Sequence, residues 1–156
     1  MKNKKQIIIQ NSVLKKLTTQ INKGGVTYNP ILNKDYNGTK NIAISAFPER
    51  SEIFKGNVTR KIVSDYCAKN SDLLEKGFPL GGWYNEKTKE TYLDITTSIP
   101  LRRKIKAISL GKSANQIAGF NLFNFSEIPL GGTGIFNSSV SPFKERLRNA
   151  SKLMHS

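Results

Sequence analysis

Apolar positions along the chain recur in two rhythms, one near 3.6 residues and one of 2, and the switches between them mark the elements. Ile7, Ile9, Val13, Leu14 and Leu17 share one stripe and predict a short helix around residues 10–22, stopped by Gly24-Gly25. Asn29-Pro30 and Asn37-Gly38 then predict turns. Asn41–Phe47 (NIAISAF) reads as a strand that is apolar on both faces, as a central strand is, and Pro48 ends it. Val58–Glu75 reads as a helix capped by Asn57, with Val58, Ile62, Val63, Tyr66, Cys67, Leu73 and Leu74 facing inward and Gly77 as its stop. Leu80–Asn85 and Glu90–Ile99 predict a hairpin around the turn Asn85–Lys89. Its second strand puts Leu93, Ile95, Thr97 and Ile99 on one face and Tyr92, Asp94, Thr96 and Ser98 on a half-exposed one. Leu101–Ala114 reads as a second helix with Leu101, Ile105, Ile108 and Ala107 as its stripe. Ile117–Ile128 reads as a last strand, and Phe143–Met154 as a short basic helix.

The central order is β-α-β-β-α-β. Right-handed crossovers turn that order into an α+β, ferredoxin-like sandwich, a four-stranded antiparallel sheet under two helices. Another mixed sheet built from the same elements is the competing arrangement. The expected division is a basic N-terminal arm at 1–38, the ferredoxin-like domain at 39–130, and a basic C-terminal arm at 131–156. Pro-Leu-Gly-Gly occurs at Pro79–Gly82 and again at Pro129–Gly132, each read as turn punctuation.

Charge changes the picture most. The chain of 156 residues carries 25 Lys+Arg against 11 Asp+Glu, a net charge of +14. Such an excess repels itself unless something negative offsets it, and nucleic acid is the usual polyanion. The excess is clustered. Lys2, Lys4, Lys5, Lys15, Lys16, Lys23 and Lys34 precede the first acid, Asp35. Between Ser98 and Ser126 stand Arg102, Arg103, Lys104, Lys106 and Lys112 with no acid among them, whereas a merely solvated helix face mixes signs. Lys144, Arg146, Arg148 and Lys152 load the last helix. The candidate contacts to nucleic acid or a partner are therefore Lys15, Lys16, Arg102, Arg103, Lys104, Lys106, Lys112, Arg146 and Arg148, with Tyr92 as a single stacking aromatic.

Catalytic chemistry finds little to use. The one histidine, His155, is next to last, and a base at a chain end is poorly positioned for proton transfer. Cys67 is the one cysteine and falls on an apolar helix face, so it reads as structural, and neither a disulfide nor a cysteine-held zinc can form within the chain. Asp94, Glu86, Glu90, Glu49 and Glu52 read as solvated surface acids, not a catalytic pair. The loop PLGGTG at 129–134 lacks the Gly-Lys-Ser/Thr of a phosphate-binding loop and reads as a turn. An RNA-recognition motif is excluded because its aromatic signature is missing. No cofactor and no metal are expected. The N-terminus lacks a secretory pattern, and no apolar run approaches the roughly 20 residues that span a bilayer.

Three blocks carry a resemblance: GTKNIAISAFPERS at 38–51, LGGWYNEKTKETYLDITTSIP at 80–100 and NQIAGFNLFNFSEIPLGGTG at 115–134. Across 29–134 the chain resembles uncharacterised small proteins, and end domains of larger ones, encoded by tailed bacteriophages and mobile elements. The resemblance implies a phage origin and carries no catalytic residue with it. The strongly basic second helix departs from the more mixed charge of that pattern. The expected function is a non-enzymatic accessory or virion-associated structural protein, in the virion or the host cytoplasm and not secreted, that contacts DNA, RNA or other virion proteins. An inhibitor of a host enzyme with an acidic surface and a histidine-independent nuclease or toxin are the alternatives.

Overall fold

The computed structural model describes residues 9–154. The elements run in the order α1 (Asn11–Lys23), β1 (Gly25–Asn29), β2 (Lys34–Asp35), β3 (Asn41–Ala43), β4 (Glu52–Lys55), α2 (Arg60–Lys69), α3 (Ser71–Glu75), β5 (Leu80–Asn85), β6 (Glu90–Ile95), β7 (Ile99–Pro100), α4 (Lys104–Ser113), β8 (Ala118–Asn121), β9 (Ser126–Pro129) and α5 (Phe143–Met154). Short 3-10 turns at Pro48–Arg50 and Leu101–Arg103 precede β4 and α4. The fold is α+β, with two antiparallel sheets and two compact units. The first unit joins the described residues up to Asp35 to Glu52–Leu93; the second joins Tyr36–Ser51 to the described residues from Asp94 onward.

The first unit holds a five-stranded sheet of order β2-β1-β5-β6-β4. Helix α1 lays Leu14 and Leu17 inward as its spacing predicts and adds Ile21, while Val13 is only half-buried and Ile7 lies outside the described residues. Gly82 is required beneath it, because a Cβ there would come within 2.7 Å of Ile21. Asn22 holds the start of the next helical segment, its amide donating to the Val58 carbonyl (2.9 Å) while its Oδ1 accepts from the Val58 N–H (3.0 Å). The cap of α2 is Thr59, whose hydroxyl accepts from the Ile62 N–H, and not the expected Asn57. The expected single helix breaks at Asn70 into α2 and α3.

The second unit holds a four-stranded sheet of order β7-β3-β8-β9, with Ile42, Ile44, Ala46 and Phe47 in its core. Helix α4 buries Ala107, Leu110 and Gly111. A Cβ on Gly111 would lie 2.4 Å from Leu130 Cδ1, so this mid-helix glycine, which weakens the helix by itself, makes room for close packing. Helix α5 buries Arg146, Ala150 and Leu153.

Beyond the cap and the break between α2 and α3, four larger expectations need correction. The ferredoxin-like single sheet is absent: the strand at 41–43 pairs with β7 and β8, while the hairpin of β5 and β6 belongs to the other sheet with β1 and β4. Strand choice of partner is a non-local matter, and alternation of residue types does not encode it. The described part of the N-terminal arm is folded, as α1 and a strand whose Val26 and Tyr28 are buried, and the C-terminal arm ends in a packed helix. The strand expected over 117–128 is a hairpin, β8 turning into β9. Ile105, expected in the buried stripe of α4, is 86% exposed, because Ala107, Leu110 and Gly111 take the inward face.

Candidate nucleic-acid interface

Helix α4 begins against the rule for helix ends. The first amide groups of a helix lack partners within it, and the peptide dipoles put positive potential there. Acids or a capping oxygen normally meet that end. Here the helix continues from the 3-10 turn Leu101–Arg103, whose Leu101 carbonyl accepts from the Lys104 N–H; no side chain caps the helix, and its first turn contains no acid. Arg102, Arg103, Lys104 and Lys106 crowd the same end, with the exposed Ile105 among them. Each cation at such an end costs about 0.3–1 kcal/mol at a surface position. An anion bound there would reverse the sign of that cost.

A groove of about 470 Å³ runs between α4 and α5. Arg103, Lys106, Ser109 and Ser113 line it from α4 and the turn before it, and Glu145, Asn149 and Lys152 from α5. Three cations thus converge on a polar cleft with one carboxylate. Lys112 is exposed at the far end of α4, where a cation agrees with the helix dipole and serves the helix itself. Arg148 is exposed on α5. The acids of the second unit offer little compensation: besides Glu145 they are Glu49, Asp94 and Glu127.

Arg146 does not belong with these cations. It is 1% exposed. Its Nη1 donates to the Ala46 carbonyl (2.6 Å) and Glu49 Oε1 (2.7 Å), its Nη2 to Glu49 Oε2 (2.5 Å), and its Nε to the Ser141 carbonyl (2.7 Å). This is a bidentate pair in which four of the five guanidinium N–H groups have partners, the geometry in which a buried ion pair holds. The Phe143 ring lies 5.8 Å from the same guanidinium and packs on Phe47. Arg146, expected among the contacts to a ligand, lies instead in the interior and fastens α5 to the segment at 46–49.

The remaining sequence-selected residues lie in the first unit. Lys15 and Lys16 are on the exposed face of α1. That unit mixes its charges: Lys61 pairs with Asp65 at 2.8 Å and Lys69 with Glu52 at 3.6 Å. Tyr92 is half-buried on β6, its ring 5.5 Å from Trp83, and its hydroxyl reaches Glu90 Oε1 at 3.4 Å. Lys2, Lys4, Lys5 and His155 lie outside the described residues.

Other candidate chemistry resolves into structure. Burial pushes the Cys67 thiol up to about 12, so it is protonated and unreactive at neutral pH. Asp94 is half-buried and not the fully solvated acid expected: partial burial pushes its carboxyl up to about 6, against the pull of the neighbouring Ser45 hydroxyl. The loop at 129–134 does not present its amides to a phosphate. Leu130, Gly132, Thr133 and Gly134 donate theirs to Ile117 O, Gln116 O, Asn115 Oδ1 and Asn115 O. A Cβ on Gly132 would lie 2.5 Å from the Asn115 carbonyl carbon, so the glycine permits a latch onto 115–117. Among the described residues no cluster of His, Cys, Asp or Glu could hold a metal, and no helix is long and apolar enough to cross a membrane.

Charge runs in the sequence pointed to α4, but the uncapped end and the cleft beside α5 are features of the fold. The exposed phenylalanines of the β8–β9 hairpin were missed as well; the run FNLFNF at 120–125 was their only signal. No family model, curated protein or solved structure matches the chain.

Proposed function

We propose that this chain is a non-enzymatic protein that contacts the phosphate backbone of nucleic acid through the N-terminal end of α4 and its groove with α5. In keeping with the resemblance of its three sequence blocks, we place it among the accessory or virion-associated proteins of a phage or mobile element. The observation that carries the reading is the start of α4: a helix end with no side-chain cap, bearing Arg103, Lys104 and Lys106 with no acid in its first turn. That arrangement opposes folding and favours an anion. A repeating polyanion suits it better than a single small one, because the cations continue along the groove to Lys152.

Titration of a labelled oligonucleotide over a range of salt tests the reading. Affinity should fall linearly on a log–log scale, with a slope of about 0.7–0.9 for each phosphate neutralised. Glutamate at positions 103 and 106 together should reduce that slope by roughly 1–2. A flat response to salt would remove the phosphate contact and favour docking on an acidic protein. Incubation of the pure protein with RNA and plasmid DNA should leave both intact; cleavage would return the nuclease alternative.

A further inference from the structure

Three phenylalanines stand on one hairpin of the second unit. Phe120 is on β8, and Phe123 and Phe125 are on the turn into β9, at 53% and 57% exposure. The rings of Phe120 and Phe125 lie 6.3 Å apart, tilted by 45°. The turn that carries them is stiff. Asn121 Oδ1 accepts from the N–H groups of Phe123 (2.9 Å) and Asn124 (3.2 Å), and the Phe125 N–H donates to the Asn121 carbonyl (2.8 Å). Asn124 Oδ1 accepts from the N–H and hydroxyl of Ser126. Phe125 has φ of 59°, a left-handed conformation in which a bulky side chain is strained and glycine or asparagine is at ease. A bulky exposed ring on a left-handed residue weighs against folding, and such outliers collect at functional sites.

The rings are joined to the cations. Lys40 Nζ lies 5.9 Å from the centre of the Phe123 ring, within cation–π reach. The Lys40 carbonyl accepts from the Leu101 N–H at 3.1 Å, and Leu101 leads directly into Arg102, Arg103 and Lys104. Phe123, Lys40 and the backbone leading into Arg102–Lys104 are thus linked, with the Phe120–Phe125 pair on the same hairpin.

Building on the phosphate-contact reading, we infer that the ligand is single-stranded nucleic acid. Its bases stack on Phe120, Phe123 and Phe125, and its backbone follows Lys40 to the start of α4. Bases within a duplex already have both faces covered, so ring stacking selects the unpaired strand, and it does so with little regard to base identity. Glu127, the cross-strand neighbour of Phe120, projects from the same face of the hairpin as that ring, so the phosphates must pass on the Lys40 side of the rings and away from this carboxylate.

The test compares a labelled oligo-dT strand of about 20 nucleotides with a duplex of the same length. The proteins are the full chain, the double variant Phe123→Ser/Phe125→Asn, which keeps turn-compatible residues, and Lys104→Glu. The wild-type chain should prefer the single strand. The double variant should lose about tenfold in affinity per ring on that strand, keep its duplex binding and salt slope, and melt no lower than wild type. Lys104→Glu should lower the salt slope on both ligands. Unchanged oligo-dT affinity in the double variant, or equal wild-type affinity for strand and duplex, overturns the stacking inference while the phosphate reading stands, and leaves the rings to a protein partner. Failure of the wild-type chain to bind either ligand at low salt overturns both.

Discussion

Helices α4 and α5 of the second unit are both strongly basic, yet they use their charge in opposite ways. Arg146 of α5 is buried and satisfied by Glu49 and by the carbonyls of Ala46 and Ser141. Arg103, Lys104 and Lys106 at the start of α4 have the wrong sign for the helix end they occupy. Charge alone does not distinguish the two. What separates them is whether the cation stabilises the fold or burdens it, and a burden that remains in the sequence points outward to a ligand.

The largest effect should come from breaking the structural side of that contrast. Arg146→Met leaves Glu49 and two carbonyls without their donor and should lower stability by about 3 kcal/mol, visible as a fall in the denaturant midpoint. Nucleic-acid affinity per folded molecule should change little. A variant that folds normally but loses affinity would place Arg146 in the interface and erase the distinction between the helices.

The acids extend the comparison. Glu49 has Arg146, whereas burial raises the Asp94 carboxyl to about 6. A carboxyl whose pKa is higher in the folded state than in the unfolded one is a net cost wherever it must ionise. The cost is absent below the unfolded value of 3.8, grows as pH rises toward 6, and is complete above it. Asp94→Asn should therefore stabilise the protein by about 2–3 kcal/mol at pH 7 and by nothing near pH 3.5. Urea melts across that pH range check it; equal gains at both ends would show that the effect is not ionisation.

A smaller effect carries more information about function. Lys104→Glu replaces a cation by an acid at the start of α4 and should raise stability by about 0.3–1 kcal/mol while weakening nucleic-acid binding. Opposite signs for stability and affinity are the mark of a residue kept for its ligand. Smallest of all, Lys15→Glu on the exposed face of α1 should shift stability by under about 0.5 kcal/mol. It should leave the salt slope as it was.

Local pattern made much of this architecture legible in advance. The apolar pair Leu14 and Leu17 and the stop at Gly24-Gly25 mark α1, and the turn Asn85–Lys89 marks the β5–β6 hairpin. Partnership between distant strands was not legible. Nothing local tells Asn41–Ala43 to pair with Phe120 and Asn121 and not with the β5–β6 hairpin. Strand β1 was hidden because its leading glycine reads as the end of a helix. The turn at 121–126 was hidden because its left-handed residue is Phe125, where a glycine would have announced it. At the candidate site, the basic run 102–106 was visible as composition. The burial of Arg146 was not, since a buried arginine and an exposed one look alike until Glu49 is brought across nearly a hundred residues of chain to meet it.

The most direct measurement is the salt dependence of oligonucleotide binding for the wild-type chain beside Lys104→Glu, with thermal melting of both. The cations of α4 should reveal themselves by a steep wild-type slope that becomes shallower in the variant, by roughly 1, while its melting temperature holds or rises. Identical slopes in the two proteins, or a variant that melts well below wild type, would mean that those cations serve the fold and meet no phosphate.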